Sequence, residues 1–189
     1  MIGWWVMLPL SSNSRINLLH IARETLENCV RNVETPLFNP PDPLLWEIQP
    51  CFVTLKKDGK LRGCIGMLEA ERPLFEEVVR VTKAAAFEDY RFNPVQPDEL
   101  QGIEIEISIL SPFERIYHPS EITVGLHGVC LRSQDRKGIL LPEVAQEMGW
   151  SPDEFVKICA EEKVGLNFQK LGDFELYRFT TEKIKEKTS

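Results

Sequence analysis

Apolar residues recur along the chain with two periods, and the switches between them mark its elements. From Ser11 onward the period is helical, with Leu18, Ala22, Leu26, Cys29 and Val30 falling three or four positions apart, as on the buried stripe of an amphipathic helix. The run Ser11-Ser12-Asn13-Ser14 ahead of them offers N-cap oxygens, so a helix is predicted from there to about Val30. Cys51 to Lys56 and Leu61 to Gly66 read as two short strands. Asp58-Gly59 between them suits the two positive φ angles of a type I′ hairpin. A second helical pattern opens at Arg72-Pro73 and runs to about Phe87, with Leu74, Val78, Val81 and Ala85 on one face and proline at its first position. Glu76 and Arg80, four apart, are expected to pair on its surface. Ile103, Ile105, Ile107 and Ile109 then alternate with Glu104, Glu106 and Ser108, the signature of a half-buried antiparallel strand with one solvated face.

The rest of the chain repeats these themes. Val129 to Ser133 and Ile139 to Leu141, with a turn through Asp135 to Gly138, form a second hairpin. Pro142 to Met148 is a short helix stopped by Gly149, and Ser151-Pro152-Asp153-Glu154 is a capping box that starts a helix to about Lys163. Gly165 ends that helix, and Leu176 to Phe179 makes a late strand. Thr35 to Pro50 carries five prolines among Leu37, Phe38, Leu44, Leu45 and Trp46, which forbids helix or central strand and predicts an ordered cover segment. The element order gives an α+β fold with a mainly antiparallel sheet and packed helices.

The first hairpin holds the most unusual residues, because Arg62, Gly63, Cys64 and Gly66 share one strand. With Lys57 opposite Lys60, a regular ladder sets Leu55 opposite Arg62, Val53 opposite Cys64 and Cys51 opposite Gly66. One face would then carry Cys51, Val53, Leu55, Arg62, Cys64 and Gly66, with Cys51 and Cys64 as diagonal neighbours; a bulge would move one run to the other face. Two glycines in a strand argue for a bulge, a bend or a close approach. A guanidinium on a covered strand needs a carboxylate, a phosphate or carbonyls as partner.

Composition narrows the function. A net charge of −7 disfavours general attraction to nucleic acid or anionic membrane. Five cysteines without a C-x-x-C pair, and only three histidines, suit reduced thiols in a cytoplasmic protein and not a disulfide framework. His118, His127 and Cys130 lack zinc-site spacing, so neither a metal nor a cofactor is expected. The apolar opening Met1 to Leu10 is too short to span a bilayer and has no basic n-region. Residues 1–14 are read as an apolar arm and 183–189 as a charged tail.

Leu61-Arg62-Gly63-Cys64-Ile65-Gly66, then Leu68-Glu69-Ala70 and Arg72-Pro73, closely resemble the signature of AMMECR1-domain proteins. Arg91-Phe92 with Pro94, Ile105 to Pro112, Leu141-Pro142-Glu143-Val144 and Gly149-Trp150 match in the same order. The resemblance implies an AMMECR1-like domain over 15–182, with two unequal lobes in one compact unit. It supplies no established catalytic residues, and it implies partners such as a Memo-like protein and a radical-SAM enzyme.

The leading expectation is a cytosolic binding or accessory module with a cleft around the LRGCIG strand. Arg62, Gly63, Gly66 and Arg91 would there meet a protein or a small anionic ligand. The rival is a thiol-dependent enzyme with Cys64 as nucleophile, its thiolate favoured by Arg62. A third reading is single-stranded nucleic acid on Tyr90, Arg91 and Phe92, since aromatics beside cations stack unpaired bases; the acidic total charge opposes it.

Overall fold

The computed structural model describes residues 9–133, 136–165 and 174–186. Residues 1–8 of the expected arm at 1–14, Asp135 of the expected turn and the last three tail residues lie outside the described residues, whereas Arg136, Lys137 and Gly138 of that turn are strand, paired with Ser133, Arg132 and Leu131. The chain divides into two compact units, one running to Ile109 and resuming at Glu182, the other spanning Leu110–Thr181.

In the first unit Ser11 caps α1 (Ser12–Val30), its side chain accepting from the Ser14 N–H, and α1 buries Leu18, Ile21, Ala22 and Leu26. The proline-rich segment forms a short 3₁₀ turn at Pro43–Trp46, with Leu45 fully buried and Trp46 edge-on to Phe75 at 4.7 Å. The first sheet has the order β2-β1-β3-β8, from β1 (Cys51–Lys57), β2 (Lys60–Gly66), β3 (Ile103–Leu110) and β8 (Thr181–Lys185). β8 takes in residues 183–185 of the expected tail. Ile184, alone among charged and hydroxyl side chains, is its buried residue, too little for strand periodicity to reveal. Glu186 just beyond it accepts from the Ile105 N–H at 2.9 Å and the Arg23 Nε at 2.9 Å.

α2 (Leu74–Phe87) covers the sheet face made by Cys51, Val53, Leu55, Ile105, Ile107 and Ile109, all at most 1% exposed. Pro73 is its N-cap, one position ahead of the place expected. Arg80 grips the buried Glu77, not the expected Glu76, with Nε–Oε2 at 3.0 Å and Nη2–Oε2 at 2.9 Å.

Asp58 and Gly59 take φ of 53° and 71°, the two left-handed positions of a type I′ turn. Lys57 lies opposite Lys60 and Lys56 opposite Leu61, as the turn dictates. The register then shifts by one residue, so that Leu55 faces Gly63, Thr54 faces Cys64 and Phe52 faces Gly66. This corrects the regular ladder: Arg62 is the extra residue of a β-bulge. Cys51 and Cys64 therefore stand on opposite faces, and Gly63 turns to the helix side.

The reason lies at Gly63. A Cβ there would meet the Ala85 carbonyl oxygen of α2 at 2.2 Å, so only glycine lets the helix seat on β2. At Gly66 a Cβ would meet the Phe52 ring at 2.2 Å. The close approaches foreseen from two strand glycines are thus contacts within this unit.

The second unit holds a sheet of order β4-β7-β5-β6, from β4 (Glu114–Ile116), β5 (Gly128–Ser133), β6 (Arg136–Leu140) and β7 (Glu175–Phe179). α3 (Pro142–Met148) ends at Gly149 in the left-handed conformation. The predicted capping box opens α4 (Pro152–Ile158), which continues through a π-helical turn to Val164 and stops at Gly165, φ 70°. Val129, Leu131, Leu140, Phe155, Val156, Cys159 and Leu176 form the core between this sheet and its helices. No helix among the described residues is long and apolar enough to cross a membrane.

The Gly63 contact has a measurable consequence. Gly63→Ala forces backbone against backbone, and its urea unfolding free energy should fall by about 1–3 kcal/mol, as for an overpacked core. At Gly102 a Cβ meets nothing closer than Lys57 Cγ at 3.8 Å, so Gly102→Ala should change stability by less than about 0.5 kcal/mol. Equal losses at the two positions would contradict the tight seating.

Candidate functional site at the β2 edge

β2 is the outer strand of its sheet, so the peptide groups it does not share with β1 need other partners. α2 supplies them from its C-terminal end. The Glu88 N–H bonds the Ala84 carbonyl at 2.7 Å, and the chain turns, with Phe92 N donating to Asp89 O at 3.0 Å. Asp89 Oδ2 then accepts from the Cys64 N–H at 2.8 Å, and Arg91 Nη2 donates to the Cys64 carbonyl at 3.3 Å. Arg91 also grips Asp89 through Nε at 2.8 Å and Nη2 at 2.6 Å. One ion pair thus completes both outward peptide groups of Cys64, as a neighbouring strand would.

The bulge turns Arg62 toward a second carboxylate. Its Nε donates to Glu99 Oε1 at 3.0 Å and its Nη2 to Glu99 Oε2 at 2.8 Å, a two-pronged pair of the strong charge-assisted kind. Lys57 Nζ adds a third bond to Glu99 Oε1 at 3.1 Å. Glu99 is itself held in place: it closes a capping box with Gln96, whose N–H it accepts at 3.0 Å, on a 3₁₀ turn begun by Pro97. The carboxylate that Arg62 required is therefore within the chain.

Phe92 sits between the two pairs. The guanidinium carbons of Arg62 and Arg91 lie 6.0 and 5.6 Å from its ring centroid, within cation–π range. Hydrogen bonds from Arg91 and from the Cys64 N–H outweigh burial and hold the Asp89 carboxyl down at about 2. Arg62 does the same for Glu99, also to about 2, aided by the Gln96 N–H and Lys57.

Cys64 is half-buried on the other sheet face, its Sγ 3.2 Å from Thr54 Oγ1. Burial pushes its thiol up, and the contrary pulls of Thr54 and Arg91 do not cancel that. Arg62, the cation expected to activate it, is occupied by Glu99. No group of three or more His, Cys, Asp or Glu side chains among the described residues could hold a metal ion.

Of the residues singled out in the sequence, the fold brings Arg62, Arg91 and Cys64 together along β2, while Gly63 and Gly66 serve the packing of Ala85 and Phe52. Of the proposed stacking residues, Tyr90 is 96% exposed, whereas the Phe92 ring already carries two guanidiniums. Sequence reasoning assigned nothing to Asp89 or Glu99. Gln96-Pro97-Asp98-Glu99 has the look of a helix start with a capping glutamate, and that was the available signal for Glu99.

Acid should test these pairs. An unfolded Asp or Glu titrates near about 4, above the folded value, so the pairs stabilise the fold above that pH. That contribution should drain away as pH falls through 4 toward 2. In urea titrations stepped over this window, Asp89→Asn and Glu99→Gln should each be less stable at neutral pH and lose less on acidification. A wild-type slope in both variants would mean that these carboxyls are not the ones titrating.

Comparison with known proteins gives a consistent result. The AMMECR1 family model matches residues 19–184. A protein of Methanothermobacter thermautotrophicus is 38% identical over 157 residues, covering 78% of this chain and 81% of the relative. Protein TK0174 of Thermococcus kodakarensis is 36% identical over 183 residues, covering 89% of this chain and 86% of its own. The crystal structure of the uncharacterized protein PH0010 from Pyrococcus horikoshii is similar, with a TM-score of 0.82 and 32% identity over 90% of each chain. The family match runs through both sheets and through the β2 edge, and the chain belongs to the AMMECR1 family.

Proposed function

We propose that the protein is a binding or accessory module whose contact surface is the β2 edge with the Asp89–Phe92 turn. The observation that carries this reading is the ladder Arg62–Phe92–Arg91. Its two guanidiniums are held in place by carboxylates and an aromatic face, yet Arg91 keeps 43% of its side chain exposed. Among the described residues their hydrogen bonds to carboxylates use Nε and Nη2, which leaves Nη1 of the more exposed Arg91 for an incoming anionic group, while Arg62, 14% exposed, lies against the same ring. Preorganised donors lose little freedom on binding. With Lys57, the cluster of Arg62, Arg91, Asp89 and Glu99 carries one net positive charge, a local cationic spot on a chain of net charge −7.

The partner class is a protein surface presenting a carboxylate or phosphate. A Memo-like protein and a radical-SAM enzyme are the first to try. The competing thiol enzyme would need Cys64 as thiolate; a thiol pushed up by burial and bonded to Thr54 works against it.

Hexaglutamate peptide and inorganic phosphate, titrated at low salt and followed by backbone amide NMR, provide the test. Shifts should concentrate at Cys64, Arg91 and Phe92 and weaken about tenfold in Arg91→Lys, which keeps the charge but loses the planar fork. Shifts spread evenly over exposed cations would overturn the site. Arg62→Ala should behave differently: it strips a partner from Glu99, so a stability loss of about 1–3 kcal/mol is expected whether or not a ligand is present. Iodoacetamide that labels native Cys64 faster than the urea-unfolded chain would favour the thiol enzyme instead.

A further inference from the structure

The second unit carries a guanidinium in a different situation. Arg132 on β5 lies opposite Glu175 of β7 in the ladder, yet Glu175 is engaged elsewhere: Arg115 Nη1 holds its Oε1 at 3.0 Å and the Tyr177 hydroxyl donates to its Oε2 at 2.8 Å. Arg132 is clamped between two rings, with its guanidinium carbon 5.3 Å from the centroid of Phe113 and 4.9 Å from that of Tyr177. Its Nε is buried and has no hydrogen-bond partner among the described residues. A buried donor left unpaired is expensive, the more so when it belongs to a charged group.

Two features separate this from an ordinary surface arginine. Phe113 is itself braced edge-on by the buried Phe179, 5.3 Å between centroids, so one jaw of the clamp is fixed by packing. The other arginines of this sheet have acceptors: Arg115 has Glu175, Arg178 has Glu114, and Arg136 donates to the Val164 and Gly165 carbonyls; at the β2 edge Arg62 has Glu99 and Arg91 has Asp89. The two ring contacts offer the Arg132 guanidinium no hydrogen-bond acceptor, and its Nε has none among the described residues. The planar fork of guanidinium donors has the geometry that fits two oxygens of one anion.

We propose that Arg132, held between Phe113 and Tyr177, is an oxyanion-receiving site for a carboxylate or phosphoryl group of a small ligand. The anion's oxygens would meet the terminal nitrogens of this half-buried side chain, next to the buried Nε. This site stands apart from the β2-edge reading and does not depend on it.

The side-chain Nε–H resonance of Arg132 in the intact protein reads the proposal directly. Inorganic phosphate and acetate are titrated separately at constant ionic strength. A saturable shift of that resonance, together with the Phe113 and Tyr177 amides, is the expected result. Saturation by phosphate alone assigns a phosphoryl ligand, and by acetate a carboxylate. Arg132→Lys should weaken half-saturation about tenfold, the size of one lost charge-assisted hydrogen bond. Tyr177→Leu, which keeps the guanidinium and removes one jaw, should weaken it as well. An Arg132 signal that does not saturate with either ion, or that moves in step with exposed Arg31 and Arg115, overturns the proposal even if both variants fail to fold.

Discussion

The seating of α2 on β2 at Gly63 is the constraint from which the candidate site follows. A carbonyl oxygen occupies the space where a side chain would begin, so the strand must present this glycine, and no other residue, to the helix. The tight turn at Asp58-Gly59 fixes the register from the other end. The two demands differ by one residue, and the bulge at Arg62 absorbs the difference. Released from the ladder, Arg62 reaches Glu99, and the strand beyond it delivers Cys64 to the sheet edge in the phase that Asp89 can cap. Packing, turn geometry and electrostatics are here successive consequences of a single contact.

The two ion pairs do different work although they look alike. Glu99 gathers Arg62, Lys57 and a backbone N–H, and so ties the hairpin to the 3₁₀ turn before β3. Asp89 gathers Arg91 and the Cys64 N–H, and so ties the end of α2 to the sheet edge. Neither is a pair of exposed charges of the sort that contributes little, because each carboxylate also satisfies backbone donors. Phe92 joins them into one rigid patch.

The elements of the fold were legible because their signals are local. Period, capping boxes and the Asp-Gly turn identified the helices, both hairpins and the α+β class. β8 escaped because Ile184 is its only buried residue, and β4 because three residues are too few to show a period. The candidate site was half legible. Arg62 declared its need for a partner by its place on a covered strand, but the register that decides which side it faces depends on Ala85, more than twenty positions away. Likewise nothing near Asp89 in the sequence says that its carboxylate meets Cys64. Long-range contacts of this kind leave no periodic trace.

The cap on Cys64 and the bulge beside it have a further consequence for how the protein behaves at high concentration. An outer strand with unpaired peptide groups is a template on which other chains can align. Here a carboxylate and a guanidinium occupy the groups that a stray strand would use, and the bulge breaks the flat run it would have to follow. The same few residues that make this edge distinctive also protect it from edge-to-edge aggregation.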